Sequence, residues 1–332
     1  MKYRNLGKSG TKVSELCLGT MIFGQQVDEP TAGKIIDRAI DLGINFIDTA
    51  DVYAEGRSEE IVGKAIKGRR DSIVLATKVR NRTSSDPNGE GLSRKHIMRN
   101  VETSLKRLDT DYIDLYQVHR VDSTTPLKET IAALSDLVRS GKVRYIGCSN
   151  YPAWQLEKAL RISEVEGLEA FATIQPRYSI LDRDIERELL PLCVDEGMGV
   201  IPYSPLAGGF LTGKYRPDSP APEGSRGQRG PSMIGRYQNA RNQAILTELQ
   251  RISAETKMPL SQIGLAWMMA NPAVTSPIIG ASRLDQLEEN MGVLGSALSP
   301  EALARINEAS KPEWLREQEE LEALLARLRR AP

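Results

Sequence analysis

Four residues of this chain have the types that acid–base chemistry on a carbonyl group needs: Asp48, Tyr53, Lys78 and His119. Asp48 and Tyr53 lie in the stretch N-F-I-D-T-A-D-V-Y at 45–53, which begins as a short apolar run and then turns polar. Lys78 and His119 each close a strand-like run, at 73–78 and 113–119. A tyrosine near pKa 10 is a poor acid at neutral pH. A lysine ammonium in contact with it stabilises the phenolate by about 4 kcal/mol at intermediate dielectric, or up to about three pKa units. An aspartate would keep that lysine charged and oriented, and a histidine would hydrogen-bond a carbonyl oxygen and set its approach. Each residue alone has an ordinary explanation: a helix cap, a packing tyrosine, a solvated strand end, a satisfied core histidine. Only a shared position makes them a set.

That position follows from the elements. Apolar strand-like runs at 16–20, 45–47, 73–78, 113–119, 143–149, 172–178, 199–203 and 275–280 alternate with helix-like segments. The helices fall at 30–42, 58–67, 93–108, 127–140, 154–163, 185–196 and 282–293, the second with Ser58 as its cap. Connections of this length suit parallel strands. Eight strands in one unbroken series predict an α/β fold, a closed (β/α)8 TIM barrel, whose active face is built from the C-terminal strand ends and the loops after them. Residues 2–15 predict an N-terminal hairpin. The whole chain, 1–332, reads as one domain: a barrel to about residue 295 and a C-terminal helical extension over 296–332. Within that extension Trp314, Leu321, Leu324, Leu325 and Leu328 form an apolar stripe on a charged helix, predicted to pack on the barrel wall, with a helix lying over the pocket or a partner as the alternative. Residues 208–236, rich in Gly, Pro and Arg and without periodicity, predict a functional loop.

Composition narrows the class. Lys plus Arg and Asp plus Glu both number 44, so no charge imbalance points to nucleic acid or an anionic membrane. No apolar run is long enough to span a bilayer. Cys17, Cys148 and Cys193 stand apart in apolar segments, as reduced core residues of a cytoplasmic protein do. With only His96 and His119 present, a metal centre built on clustered histidines is not expected.

Taken together, the motifs resemble those of the aldo-keto reductases. They are L-G-T-M at 18–21, the 45–53 stretch, L-A-T-K at 75–78, Y-Q-V-H at 116–119, G-C-S-N at 147–150, Q-P-R-Y at 175–178, P-Y-S-P-L at 202–206 and I-I-G-A-S-R-L-D-Q-L-E-E-N at 278–290. The L-G-T-M-x-F-G opening is closest to bacterial and plant members. The resemblance implies reversible reduction of an aldehyde or ketone with NADPH, and a catalytic tetrad in which Tyr53 is the general acid, Lys78 and Asp48 tune it and His119 orients the carbonyl. It also implies an extended cofactor held without a Rossmann fingerprint; the chain has no G-x-G-x-x-G after its first strand. Gly19, Thr20, Met21 and Asp48 would contact the cofactor. Ser149, Asn150 and Gln175 would hold the carboxamide, with Tyr203 stacked on the ring. Ser204, Leu206 and Gly208 would line the pyrophosphate, with Pro205, Leu211 and Lys214 also among the cofactor contacts. Gly280, Ser282, Arg283, Gln286, Glu289 and Asn290 would surround the adenosine phosphate and adenine. Ser282 and Arg283 at a helix start suit an anion independently. Met21, Ile22, Phe23 and Tyr151 suggest an apolar substrate site. The implied partner is a small carbonyl compound and the implied state a monomer or weak oligomer. The alternative within the family is a regulatory or redox-sensor subunit that binds the cofactor and turns over slowly, as potassium-channel beta subunits do.

Overall fold

The computed structural model describes residues 1–216 and 219–330. A hairpin of β1 (Tyr3–Asn5) and β2 (Lys12–Ser14) precedes β3 (Cys17–Gly19), and strand–helix units follow. They are α1 (Glu29–Asp41), β4 (Phe46–Asp48), α2 (Arg57–Ala65), β5 (Val74–Val79), α3 (Arg94–Leu108), β6 (Ile113–Val118), α4 (Leu127–Arg139) and β7 (Val143–Ser149). The series continues with α5 (Ala153–Glu166), β8 (Thr173–Gln175), α6 (Leu189–Asp195) and β9 (Gly199–Val200). Two short helices, α7 (Arg226–Arg229) and α8 (Pro231–Gly235), lie in the loop that sequence left without structure. Then come α9 (Ala240–Thr256), α10 (Leu260–Met269), β10 (Ile278–Ile279), α11 (Leu284–Met291), α12 (Pro300–Ala309) and α13 (Glu313–Arg330).

The eight strands run parallel in the order β10-β3-β4-β5-β6-β7-β8-β9. The last seam is closed between β9 and β10: Val200 bridges Val274, Thr275 N donates to Val200 O at 2.8 Å, and Ile278 N donates to Pro202 O at 2.8 Å. The expected (β/α)8 barrel with its N-terminal hairpin is therefore the observed fold.

Side chains alternate along a strand, and that alternation positions the site. Phe46 and Asp48 share one face of β4, as do Val74, Ala76 and Lys78 on β5, and Leu115 and Gln117 on β6. Register aligns Asp48 with Ala76, and Lys78 with Gln117. The lower layer is apolar: Cys17, Phe46, Val74, Ala76, Leu115, Ile201 and Ile278 form an inner core with Leu6 and Val13 of the hairpin. The hairpin thus plugs the barrel floor. At its tip Gly7 has φ +61°, and an added Cβ would lie 2.6 Å from Ala172 O, so only glycine fits. Two residues further along β4, β5 and β6 the same inward face becomes polar, with Asp48, Lys78 and Gln117.

Two local expectations change. Ser58 is not a cap: α2 begins at Arg57 after Gly56, which has φ +93°, and the buried Ser58 hydroxyl instead bonds Thr20 and Thr49. The helices α9 and α10 were not anticipated. In the C-terminal extension α12 is anchored: Trp267 Nε1 donates to Asn307 Oδ1 at 2.9 Å and Arg183 donates to Ser310 Oγ at 2.8 Å. On α13 Leu321 and Leu325 are exposed, so the expected packing of that stripe on the barrel wall is not seen there; the side chains of Leu324 and Leu328 lie outside the described residues. Among the described residues no helix is long and apolar enough to cross a membrane.

Candidate active site

The C-terminal strand ends enclose a cavity of about 740 Å³. Asp48 ends β4, and its carboxylate accepts three hydrogen bonds: from Lys78 Nζ at 2.5 Å, Gln117 Nε2 at 3.0 Å and Gln175 Nε2 at 2.8 Å. Lys78 also donates to Thr49 O at 2.8 Å and to the Tyr53 hydroxyl at 3.3 Å. It has no exposure and does not reach the cavity wall, whereas Asp48, Tyr53 and His119 do. The sequence marks it as a polar strand end; the strand runs on to Val79, and Lys78 sits behind the tyrosine, reaching it by the hydrogen bond to its hydroxyl.

The electrostatics divide the four groups. Burial pushes the Tyr53 phenol above its ordinary value; Lys78 opposes this, and burial wins. Burial also works against the Lys78 charge, but Asp48 and Tyr53 outweigh it and the pKa rises. His119 is pushed down to about 3, by burial first and then by the positive charges of Lys78, Arg120 and Arg80. Its ring meets Tyr53 edge-on, with centroids 5.7 Å apart. Asn81 Nδ2 lies 3.1 Å from His119 Nδ1. With the amide nitrogen as donor, Nδ1 accepts and the neutral ring carries its proton on Nε2. The set is an acid that keeps its proton at neutral pH, a fixed cation behind it and a neutral hydrogen-bond donor beside it.

The turn that presents Tyr53 is strained. Ala54 and Glu55 follow with φ of 48° and 57°, and Gly56 with φ 93°. Left-handed non-glycine residues cost about 1–2 kcal/mol each. Helix α3 holds the turn: Asn100 Nδ2 donates to Asp51 Oδ2 at 2.6 Å, and Arg107 donates to Asp51 O at 3.1 Å and to Glu59 Oε2 at 3.3 Å.

Of the positions expected to hold a cofactor, Gly19, Thr20, Met21, Asp48, Ser149, Asn150, Gln175 and Tyr203 line the cavity. So do Ser204, Pro205, Leu206, Gly208, Lys214, Gly280, Ser282, Arg283, Gln286, Glu289 and Asn290. Leu211 does not: it is fully buried in the core, because the tight turn over Ala207–Thr212 directs Phe210 and Leu211 inward. Phe23 and Tyr151, expected in an apolar substrate site, also pack in the core, while Met21 and Ile22 face the cavity. Several polar groups already have partners within the protein. The Ser149 hydroxyl donates to Gln175 O at 2.7 Å, Asn150 Nδ2 to His119 O at 3.0 Å, and the Tyr203 hydroxyl to Asn150 Oδ1 at 2.9 Å. Arg283 is forked onto Asp285 at 3.0 Å.

The donor set suits a long anionic cofactor with an aromatic headgroup. Backbone at Ser204, Ala207, Gly208 and Gly209 is left-handed, which bends the chain tightly along the cavity wall. Arg226 projects into the same space, and burial lowers its pKa. Arg226, Gln117, Thr49 and Asn81 escaped the sequence reading. The first was hidden in an aperiodic loop; the others look like ordinary strand and turn residues.

Relatedness agrees with this geometry. The sequence model of the aldo/keto reductase family matches residues 15–311. The chain is 42% identical over 320 residues to the uncharacterized oxidoreductase YrpG of Bacillus subtilis, covering 93% of this chain and 95% of that one. It is 39% identical over 328 residues to a probable voltage-gated potassium channel subunit beta of Arabidopsis thaliana, with 94% and 98% covered. It is 34% identical over 339 residues to versiconal hemiacetal acetate reductase of Aspergillus parasiticus, again with 94% and 98% covered. The barrel, the strand-end site and these similarities lead to one assignment: the chain belongs to the aldo/keto reductase family, oxidoreductases that use nicotinamide cofactors on carbonyl compounds.

Proposed function

We propose that this protein reduces aldehydes or ketones to alcohols with NADPH, reversibly. The observation that carries the reading is the bonded chain Asp48–Lys78–Tyr53, with neutral His119 edge-on to the phenol at one cavity. The bound nicotinamide would supply hydride to the carbonyl carbon. Tyr53 gives its hydroxyl proton to the carbonyl oxygen, and the phenolate left behind is stabilised by the Lys78 ammonium. His119 donates from Nε2 to the same oxygen and sets its direction. Asp48 holds Lys78 in place. In the reverse direction the phenolate takes the alcohol proton.

A panel of aldehydes and ketones followed by NADPH absorbance tests this, with Tyr53→Phe as the decisive variant. The variant should bind cofactor normally and lose about 10²–10⁴-fold in kcat, the range of general acid catalysis. Retention of more than about a tenth of the rate would remove Tyr53 from that role.

The Arabidopsis relative motivates a second reading, a cofactor-binding regulatory subunit with low turnover. Both readings use the same site. Tight NADPH binding with no more than single-turnover oxidation across the panel would favour the regulatory one.

A further inference from the structure

Four guanidiniums line the cavity; Arg283 is paired with Asp285, which leaves Arg120, Arg177 and Arg226. Elsewhere Arg70 is held by Asp114, Arg107 by Glu59 and Arg183 by Glu186, whereas Arg4 bonds a main-chain carbonyl and Arg80 Nε is buried without a partner. Of the three, Arg120 is exposed and Arg177 and Arg226 are half-buried. Among the described residues no carboxylate pairs with any of the three. The acids of the same cavity do not compensate them. Asp48 is taken by Lys78, Gln117 and Gln175, and Glu289 accepts from Ser261. Glu223 stands on the loop of Arg226 without an ion pair among the described residues. Arg226 shares that loop with the pyrophosphate positions, but Arg120 and Arg177 lie elsewhere. Arg120 follows His119 at the end of β6, which is across the barrel from β10 and the adenosine segment. Arg177 follows Gln175, with its guanidinium carbon 5.8 Å from the Tyr203 ring. Tyr203 bonds Asn150, and Asn150 bonds the His119 carbonyl, so Arg177 and Arg120 flank one continuous polar band beside the reacting groups.

We propose that the substrate is a carbonyl compound bearing an anionic group, a carboxylate or phosphate, bound by Arg120 and Arg177 while its carbonyl lies against Tyr53 and His119. This rests on the reductase reading of the site. Guanidinium forks match both oxyanions geometrically. Both guanidiniums would attract an anion held in the cavity. Met21 and Ile22 line the same cavity and give the substrate's apolar body a surface to lie on.

The test compares matched pairs, 4-carboxybenzaldehyde against 4-methylbenzaldehyde and glyceraldehyde 3-phosphate against glyceraldehyde, as ratios of kcat/KM. At least one anionic member should lead its neutral twin by about tenfold or more, the range of a hydrogen bond to a charged group. Which pair shows the lead distinguishes carboxylate from phosphate. In the Arg120→Gln/Arg177→Gln double variant the ratio should collapse towards one. Equal rates in both pairs, or a ratio that survives the double substitution, overturn the proposal. If the variant instead loses NADPH affinity with its ratio intact, the two arginines serve the cofactor phosphates and the proposal falls. Calorimetric titration of NADP+-saturated protein with terephthalate and terephthalamide reads the anion site without turnover. Preference for terephthalate, lost in the double variant, supports it even if no aldehyde is reduced; equal binding overturns it.

Discussion

Lys78 donates to the Tyr53 hydroxyl across 3.3 Å from a position closed to solvent, and also to the Asp48 carboxylate at 2.5 Å and to Thr49 O at 2.8 Å. A buried ammonium bonded to an acid on one side and a phenol on the other acts with them as one unit. Removing either charge of a buried pair leaves the other uncompensated, a loss of about 3–5 kcal/mol. Lys78→Met and Asp48→Asn should each destabilise strongly, while the double variant should lose less than the sum of the two. Chemical denaturation gives the stability cycle, and kcat should be non-additive in the same sense. Additive losses in both measurements would make the two residues independent strand caps.

A second expectation concerns Gly56 and Arg107. A Cβ at Gly56 would sit 2.2 Å from the Arg107 guanidinium carbon, on backbone with φ +93°. Gly56→Ala should therefore cost roughly 2 kcal/mol or more, from left-handed strain and the clash together. Because the same guanidinium holds Asp51 O, the displaced turn should also misplace Tyr53 and lower kcat by up to about 10²-fold. Arg107→Met should show the kinetic loss without the clash, so Gly56→Ala should cost less in that background. An unchanged kcat in both variants would separate the turn from catalysis.

Asp51 supplies a pH signature. Burial, then the neighbouring Glu59 carboxylate, raise its pKa to about 8, against Asn100 and Arg107, and its Oδ1 is buried without a partner. The unfolded chain releases this proton near the ordinary pKa of about 3.9. Between that value and about 8 the native state binds more protons than the unfolded state, so the group's contribution to stability falls as pH rises through the window. Asp51→Asn removes that proton uptake. Its stability relative to wild type should climb from pH 4 to pH 8, by on the order of a few kcal/mol, and level off above. Parallel stability curves for the two proteins would show that Asp51 does not titrate in this range.

Much of this was legible because a parallel strand changes character at its end. Val143–Ser149 has the bounds its apolar run predicts, and Asp48, Lys78 and His119 stand out where such runs stop. The polar partners were not legible. Gln117 reaches Asp48 across 69 residues of chain and Asn100 reaches Asp51 across 49, and one polar residue on a strand or helix does not announce such a contact. Helix α10 is buried from Ile263 to Met268 on every side, so it shows no amphipathic period. Helix α9 carries a stripe of Ile245, Leu249 and Ile252 that becomes readable once Asn239 is recognised as its cap. Leu211 illustrates the converse failure: a motif can mark a segment as part of a site without saying which side chains in a tight turn face it.

Cofactor preference is the last expectation, and the structure sharpens it. NADPH carries one more phosphate than NADH, on the adenosine ribose, and an acid gripping the bare ribose would favour NADH. At the start of α11 the cation is Arg283, with Ser282 beside it lining the cavity. Arg283 is not free: Asp285 engages its fork, and both side chains are largely exposed. The exposed pair is weak, and a phosphate offers the same fork more negative charge and more acceptor oxygens. A phosphate should therefore displace Asp285 and take the guanidinium. NADPH should bind more tightly than NADH by about tenfold or more. Arg283→Ala should weaken NADPH and leave NADH nearly unchanged. Asp285→Asn, which frees the fork and removes a negative charge, should raise the preference further, and added salt should shrink it in both wild type and variant. If Arg283→Ala weakens both cofactors equally in fluorescence titrations, the arginine packs the helix start and does not read the phosphate.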